Sequence, residues 1–144
     1  MKLKKIVSGK ELQEKMQFAV DLLCDTVKRT LGPKGSNIII DHSAFTPFIT
    51  NDGVTIAQNI ESEDVVINTI LELTKEASIK TNDIVGDGTT TTLVLLQSIY
   101  NQGLEYVKNE KNPIVIKKEL EKDMNLLIKK IKNQSKIPTD NDLL

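Results

Sequence analysis

This 144-residue sequence predicts a mainly α-helical bundle of about four helices with a short β-hairpin and an N-terminal strand. Three observations predict it. Four segments repeat apolar residues at helical spacing. One stretch between the first two is instead rich in β-branched and aromatic residues and is flanked by turn signals. Residues that start or stop helices bound the helical segments. With 39% hydrophobic residues, a chain of this length suits one compact domain with a single core.

The elements follow in chain order. "KLKKIV", Lys2 to Val7, is a candidate short strand. Its basic start is followed by "SGKELQEK" where the apolar stretch of a leader would stand, so no signal peptide is expected. The first helix is expected from about Gly9 to Leu31, with Leu12, Met16, Val20, Leu23, Val27 and Leu31 on one stripe. Ser8 offers an N-cap and "LGPKG" a stop. "SNIIIDHS" and "FTPFITNDG" then predict two strands forming a hairpin, about Asn37 to Asp41 and Phe48 to Thr50. An isolated hairpin is marginal, so it must pack on the helices or pair with a strand from elsewhere. The second helix is expected from about Asp64 to Asn82 through Val66, Ile70, Thr74 and Ala77. The third runs from Thr89 to about Lys108 with Leu93, Leu96, Tyr100, Leu104 and Val107 in register. The fourth starts at Pro113, a favourable first-turn proline after Asn112, and carries Ile116, Leu120, Met124, Leu127 and Ile131.

Charge excludes some classes of function. Nineteen basic residues, Arg29 the one arginine, oppose twenty acidic ones for a net charge of -1. No basic patch for nucleic acid is evident, and no nucleic-acid partner is expected. No apolar run approaches the roughly 18 residues of a membrane span, so no membrane association is expected. Cys24 is alone, which excludes an internal disulfide and fits a reducing cytosol. Its apolar neighbours Leu22, Leu23 and Val27 point to a buried structural thiol. His42 has no second His or Cys at zinc spacing and reads as a surface turn residue.

The chemistry concentrates in "NDIVGDGTTTTLVLL", Asn82 to Leu96. Glycines and a row of β-branched hydroxyls are poor helix formers, yet they stand where a helix begins. A helix start leaves unpaired N–H groups at the positive end of the macrodipole and receives phosphate readily. Gly86 and Gly88 would let backbone approach an anion closely, and the hydroxyls of Thr89, Thr90, Thr91 and Thr92 would donate beside it. Asp87 has two readings: an N-cap, or a magnesium ligand that bridges to phosphate oxygens. "RTLGPKGSN" reads either as a helix C-cap at Gly32 with a proline stop or as backbone brought near a ligand. "TNDGVTIA" reads by itself as turn chemistry at Asp52. No "GxxxxGK[ST]" occurs, so any nucleotide is bound outside the P-loop scheme.

Taken together, "TVKRTLGPKGSN", "ITNDGVTIA", "EASIKTNDIVGDGTTTT" and "NPIVIKKELEK" closely resemble the N-terminal part of the group I (GroEL-like) chaperonins of bacteria and organelles. The archaeal and eukaryotic cytosolic type shares "GPKG", "NDG" and "GDGTTT" but agrees less well with "KTND" and "NP". The resemblance covers nearly the whole chain. It implies a chaperonin equatorial-domain-like fold, with 1–144 a partial ATP-binding domain and the intermediate and apical domains absent. It implies ATP and magnesium as ligands. Thr30, Leu31, Gly32 and Pro33 match residues that line the nucleotide, Gly88, Thr89, Thr90 and Thr91 match the phosphate-binding helix start, and Asp87 matches the magnesium-binding aspartate. Asp52 matches the acidic residue that helps position the attacking water, with Gly53 beside it. Asn51 stands where some members carry a phosphate-contacting lysine.

The resemblance further implies partners: other chaperonin subunits in a ring, and a co-chaperonin and unfolded polypeptides through domains missing here. The location it implies is the cytoplasm, or an organellar matrix. The second half of the adenine pocket and a second catalytic aspartate belong to the later part of such a chain. Little or no ATP hydrolysis is therefore expected of this chain alone. Two other readings stay open: a truncated interaction module that binds chaperonin subunits without ATPase activity, and a stand-alone phosphate-transfer enzyme.

Overall fold

The computed structural model describes residues 5–42, 45–109 and 111–136, without the side chains of His42 and Phe45. Its elements are α1 (Gly9–Val27), a 3-10 turn (Lys28–Thr30), β1 (Ile38–His42), β2 (Phe45–Thr50), α2 (Gly53–Asn59), α3 (Val65–Val85), α4 (Thr89–Lys108) and α5 (Pro113–Gln134). Packing divides the chain into two units, Met1–Asn101 and Gln102–Leu144.

The first unit is built on the stripe of α1. Ala19, Val20, Leu23, Cys24 and Val27 form its buried face and meet Ile56 and Ala57 of α2, Ile70 and Leu71 of α3 and Leu93 of α4. Leu12, Met16, Leu96 and Tyr100 pack partly buried against this cluster. Removing that apolar area from water is the main stabilising term of the unit. Polar ties fix the helices in register. Gln97 Nε2 of α4 donates to Asp21 Oδ1 and Asp25 Oδ1 of α1, both at 2.8 Å. Asn101 Nδ2 adds a bond of 3.1 Å to Asp21 Oδ1. Lys75 of α3 is almost fully buried, and its ammonium donates to the Gln58 carbonyl at 3.2 Å and to Glu72 Oε1 at 2.8 Å. A cation placed on a carbonyl of the last turn of α2 is favoured by that helix's dipole. Burial, with Asp25 and Asp21 nearby, pushes the Cys24 thiol up to about 12, so it stays protonated and inert.

Several expected boundaries move, among them the end of α3, at Val85 rather than Asn82, and β1, at Ile38–His42 rather than Asn37 to Asp41. α1 ends at Val27 and tightens into the 3-10 turn, with Leu31 extended and half exposed rather than on the stripe. Ser8 occupies the N-cap position without a side-chain cap bond. β2 starts three residues before the expected strand and contains Pro47. The antiparallel register pairs Ile38 with Thr50, Ile39 with Ile49 and Ile40 with Phe48, then shifts before His42 and Phe45. That irregularity falls across from Pro47, where a residue without an N–H is tolerated. Ile38 and Ile40 face the core, while Ile39 and Ile49 point outward at 70% and 65% exposure. Of the strand expected at Lys2 to Val7, residues 2–4 lie outside the described residues and 5–7 form no strand. The reading of the His42 side chain also lies outside them.

One helix was not expected. Gly53, Val54, Thr55 and Ile56 are weak helix formers, yet "GVTIAQN" is α2. The cap at Asp52 and the burial of Ile56 and Ala57 outweigh propensity there. In the second unit α5 begins as expected, at Pro113 with Asn112 Oδ1 accepting from Ile114 N–H at 2.9 Å. It has no buried residue: Leu120, Met124, Leu127 and Ile131 of its apolar stripe are exposed. Lys111 lies 4.4 Å from the centre of the Tyr106 ring. No described helix is long and apolar enough to cross a membrane.

Candidate functional site

The three loops singled out in the sequence are fixed by their own local bonding before any ligand is considered. After the 3-10 turn, Gly32 adopts φ +82, and Gly35 N–H closes a turn onto the Gly32 carbonyl at 2.9 Å with Pro33 inside it. Gly32 is therefore not the C-cap of α1, since Lys28 is. Ser36 N–H returns to the Arg29 carbonyl at 2.8 Å, and the Thr30 hydroxyl donates to the Val27 carbonyl at 2.8 Å. A Cβ on Gly35 would collide with the Thr30 carbonyl, so the loop folds back tightly on itself.

The second loop centres on Asp52. Its N–H donates to Thr50 Oγ1 at 3.0 Å. Its Oδ2 accepts from both the N–H of Thr55, at 2.9 Å, and the Thr55 hydroxyl, at 2.5 Å. Asp52 is thus the N-cap of α2. The hydrogen bonds from the Thr55 hydroxyl and N–H hold its carboxyl below the usual carboxylate range, so it is ionised at neutral pH. The Asp52 carboxylate and Asn51 are both exposed.

The third loop joins α3 to α4. Gly86 caps α3 at φ +75, its N–H bonding the Asn82 carbonyl at 2.8 Å, and Gly88 follows at φ +79. Both left-handed positions are open to glycine at little cost. The first intrahelical bond of α4 is Thr92 N–H to the Gly88 carbonyl at 2.9 Å. The N–H groups of Thr89, Thr90 and Thr91 therefore lack an intrahelical acceptor. Asp87 does not cap them: its Oδ1 accepts from the adjacent Gly88 N–H at 2.6 Å, and the carboxylate is exposed. Thr92, which the sequence placed with the other threonines, turns away. Its hydroxyl donates to the Gly88 carbonyl at 2.9 Å and lies 3.2 Å from Thr81 Oγ1 of α3.

Two of the loops approach each other closely at Gly53. Gly53 is buried, and a Cβ there would collide with Thr90 Oγ1 and stand 3.3 Å from Val27 Cγ1. The end of α1, the start of α2 and the first turn of α4 therefore meet at Gly53. Asp52, Asp87 and the Thr30–Pro33 turn keep their separate local bonds, and no side-chain hydrogen bond joins them among the described residues. No described group of three or more His, Cys, Asp or Glu could by itself hold a metal. Thr50 and Thr55 escaped the sequence reading; the Asp-x-x-Thr spacing of a capped helix start was the signal for Thr55.

Comparison with known proteins places this arrangement. The chaperonin gp146 from the bacteriophage EL 2 (Pseudomonas aeruginosa), solved in the presence of ATP-BeFx, is similar in structure with a TM-score of 0.63 and 29% identity. The match covers 72% of this chain and 20% of that one, so the chain spans about a fifth of that relative's length. The model of the TCP-1/cpn60 chaperonin family matches residues 23–144, all three loops included. This chain belongs to the TCP-1/cpn60 chaperonin family.

Proposed function

We propose that this chain supplies the phosphate side of an ATP site within a chaperonin ring of the group I type. The observation that carries the reading is the start of α4. Three N–H groups and the hydroxyls of Thr89, Thr90 and Thr91 stand at the positive end of a 20-residue helix with no acceptor from Asp87. The contact of Gly53, next in sequence to Asp52, with Thr90 supports counting Asp52 in the same site. Gly88, Thr89, Thr90 and Thr91 bind phosphate oxygens, Asn51 and Gly53 border them, and Thr30, Leu31, Gly32 and Pro33 line the nucleotide.

Asp87 fits a magnesium ligand. It is an exposed carboxylate with one local bond, and a single carboxylate with substrate phosphates and waters is how that ion is commonly held. A bound magnesium ion would neutralise charge on the phosphate oxygens. Asp52, ionised, accepts a hydrogen bond from the attacking water and orients it toward the γ-phosphorus. The bond from the water oxygen to phosphorus forms as the bond to the β–γ bridging oxygen breaks, ADP leaves with that electron pair, and one proton of the water passes to an oxygen of the released phosphate. Positioning and charge neutralisation supply most of such catalysis.

The ring, a co-chaperonin and unfolded polypeptides are the partners this reading carries, in the cytoplasm or an organellar matrix. Calorimetric titration of the chain with ATP, with and without magnesium, tests it. Saturable magnesium-dependent binding with little or no steady turnover is the expected result, and no binding in either condition contradicts it. A second reading has its own observation: Ile39 and Ile49 form an outward apolar pair on the hairpin. It makes the chain an interaction module for other chaperonin subunits. Affinity for such subunits without any for ATP would favour it.

A further inference from the structure

We propose that Thr55 is a positioning residue for Asp52, holding its carboxylate in the orientation that receives the attacking water. This rests on the role given to Asp52 above. A helix cap needs one acceptor for an N–H of the first turn, and the Thr55 N–H to Oδ2 bond of 2.9 Å already provides it. The Thr55 hydroxyl adds a second bond to the same oxygen at 2.5 Å, which satisfies no backbone group. In the usual reciprocal cap the side chain at this position reaches the cap residue's own N–H. Here Thr50 Oγ1 occupies that N–H at 3.0 Å, and the Thr55 hydroxyl is turned to the carboxylate instead. Both Thr55 donors fall on Oδ2 and so fix the rotation of the carboxylate about its bond to Cβ. Thr50 fixes the Asp52 backbone, Thr55 fixes its side chain, and Gly53 against Thr90 fixes the loop relative to α4. A freely rotating exposed carboxylate would have none of these constraints.

Thr55→Val keeps the N–H and the β-branch and removes only the hydroxyl; Thr55→Ser keeps the hydroxyl. The full chain and each variant are titrated with magnesium-ADP and with magnesium-ADP plus aluminium fluoride, which mimics the γ-phosphoryl group in transfer with its in-line water. Thr55→Val is expected to bind ADP as the parent does and to lose about tenfold or more in affinity for the aluminium fluoride complex, the size of a charge-assisted hydrogen bond. Thr55→Ser is expected to restore it. Thr55→Ala repeats the loss of the hydroxyl should the valine variant fold poorly. An unchanged ratio of the two affinities in these variants overturns the inference and leaves the phosphate site intact. A parent chain that binds neither ligand overturns the site and the inference with it.

Discussion

α3 and α4 both begin next to an aspartate, and the two aspartates do opposite things. Asp64 is the N-cap of α3: its Oδ1 accepts from Val66 N–H at 2.8 Å and Ile67 N–H at 3.3 Å. Its Oδ2 meets Lys15 Nζ of α1 at 2.5 Å, with Lys5 Nζ at 3.7 Å. Asp87 stands one residue too early. Gly88 takes the cap position of α4, and the carboxylate is left beside an open helix start rather than inside it. The same residue type caps a helix in one place and leaves a helix start open in the other, and one residue of spacing makes the difference.

Substitutions that remove or transfer these features test the contrast. The largest effect is expected at Asp64. Asp64→Ala removes an acceptor of two backbone N–H groups and the partner of Lys15 together, and should lower the melting temperature most in this series. Gly53→Ala comes next. Its Cβ would enter the space of Thr90 Oγ1 in a buried contact, and overpacking of that kind costs about 1–3 kcal/mol. Thr90→Ala in the same chain should recover part of the loss, and strict additivity of the two changes in a melting cycle would deny the contact.

Acid provides a third test. The Lys15 bond, then the bonds from Ile67 and Val66, hold the Asp64 carboxyl well below the usual range. A group depressed in the folded state contributes stability above its unfolded value, near 3.9, and loses it as pH falls toward the folded value. The melting temperature should therefore fall on acidification below about pH 4 more steeply in the parent than in Asp64→Ala. Equal slopes would remove Asp64 as the source. Smallest of all should be Asp87→Ala, whose stability change is expected to stay within about 0.5 kcal/mol, as for an exposed side chain outside a cap.

Much of this contrast was legible in the sequence, and some was not. Apolar spacing located α1, α3, α4 and α5, because an apolar stripe along one helix face imposes a strict period. α2 carries no such period over its seven residues, and its weak helix formers concealed a helix that a cap and two buried side chains hold. In α5 the period was visible but its burial was not, since Leu120, Met124, Leu127 and Ile131 are exposed. Spacing shows where a stripe lies, not what covers it. At the site, "GDGTTT" declared the open helix start, but the separation of Thr92 from the other three threonines depended on its contact with Thr81. The Gly53–Thr90 approach joins positions 37 apart in sequence, and nothing local to either announces it.

The role proposed for Asp87 is to serve a ligand rather than the helix. Its most direct test is calorimetric titration of magnesium-ATP into the parent chain and Asp87→Ala, with both melting curves recorded. Clear binding by the parent is expected, with at least tenfold weaker binding by Asp87→Ala only when magnesium is present and coincident melting curves, about tenfold being one charge-assisted contact. A variant that melts lower while binding magnesium-ATP as the parent does would contradict it.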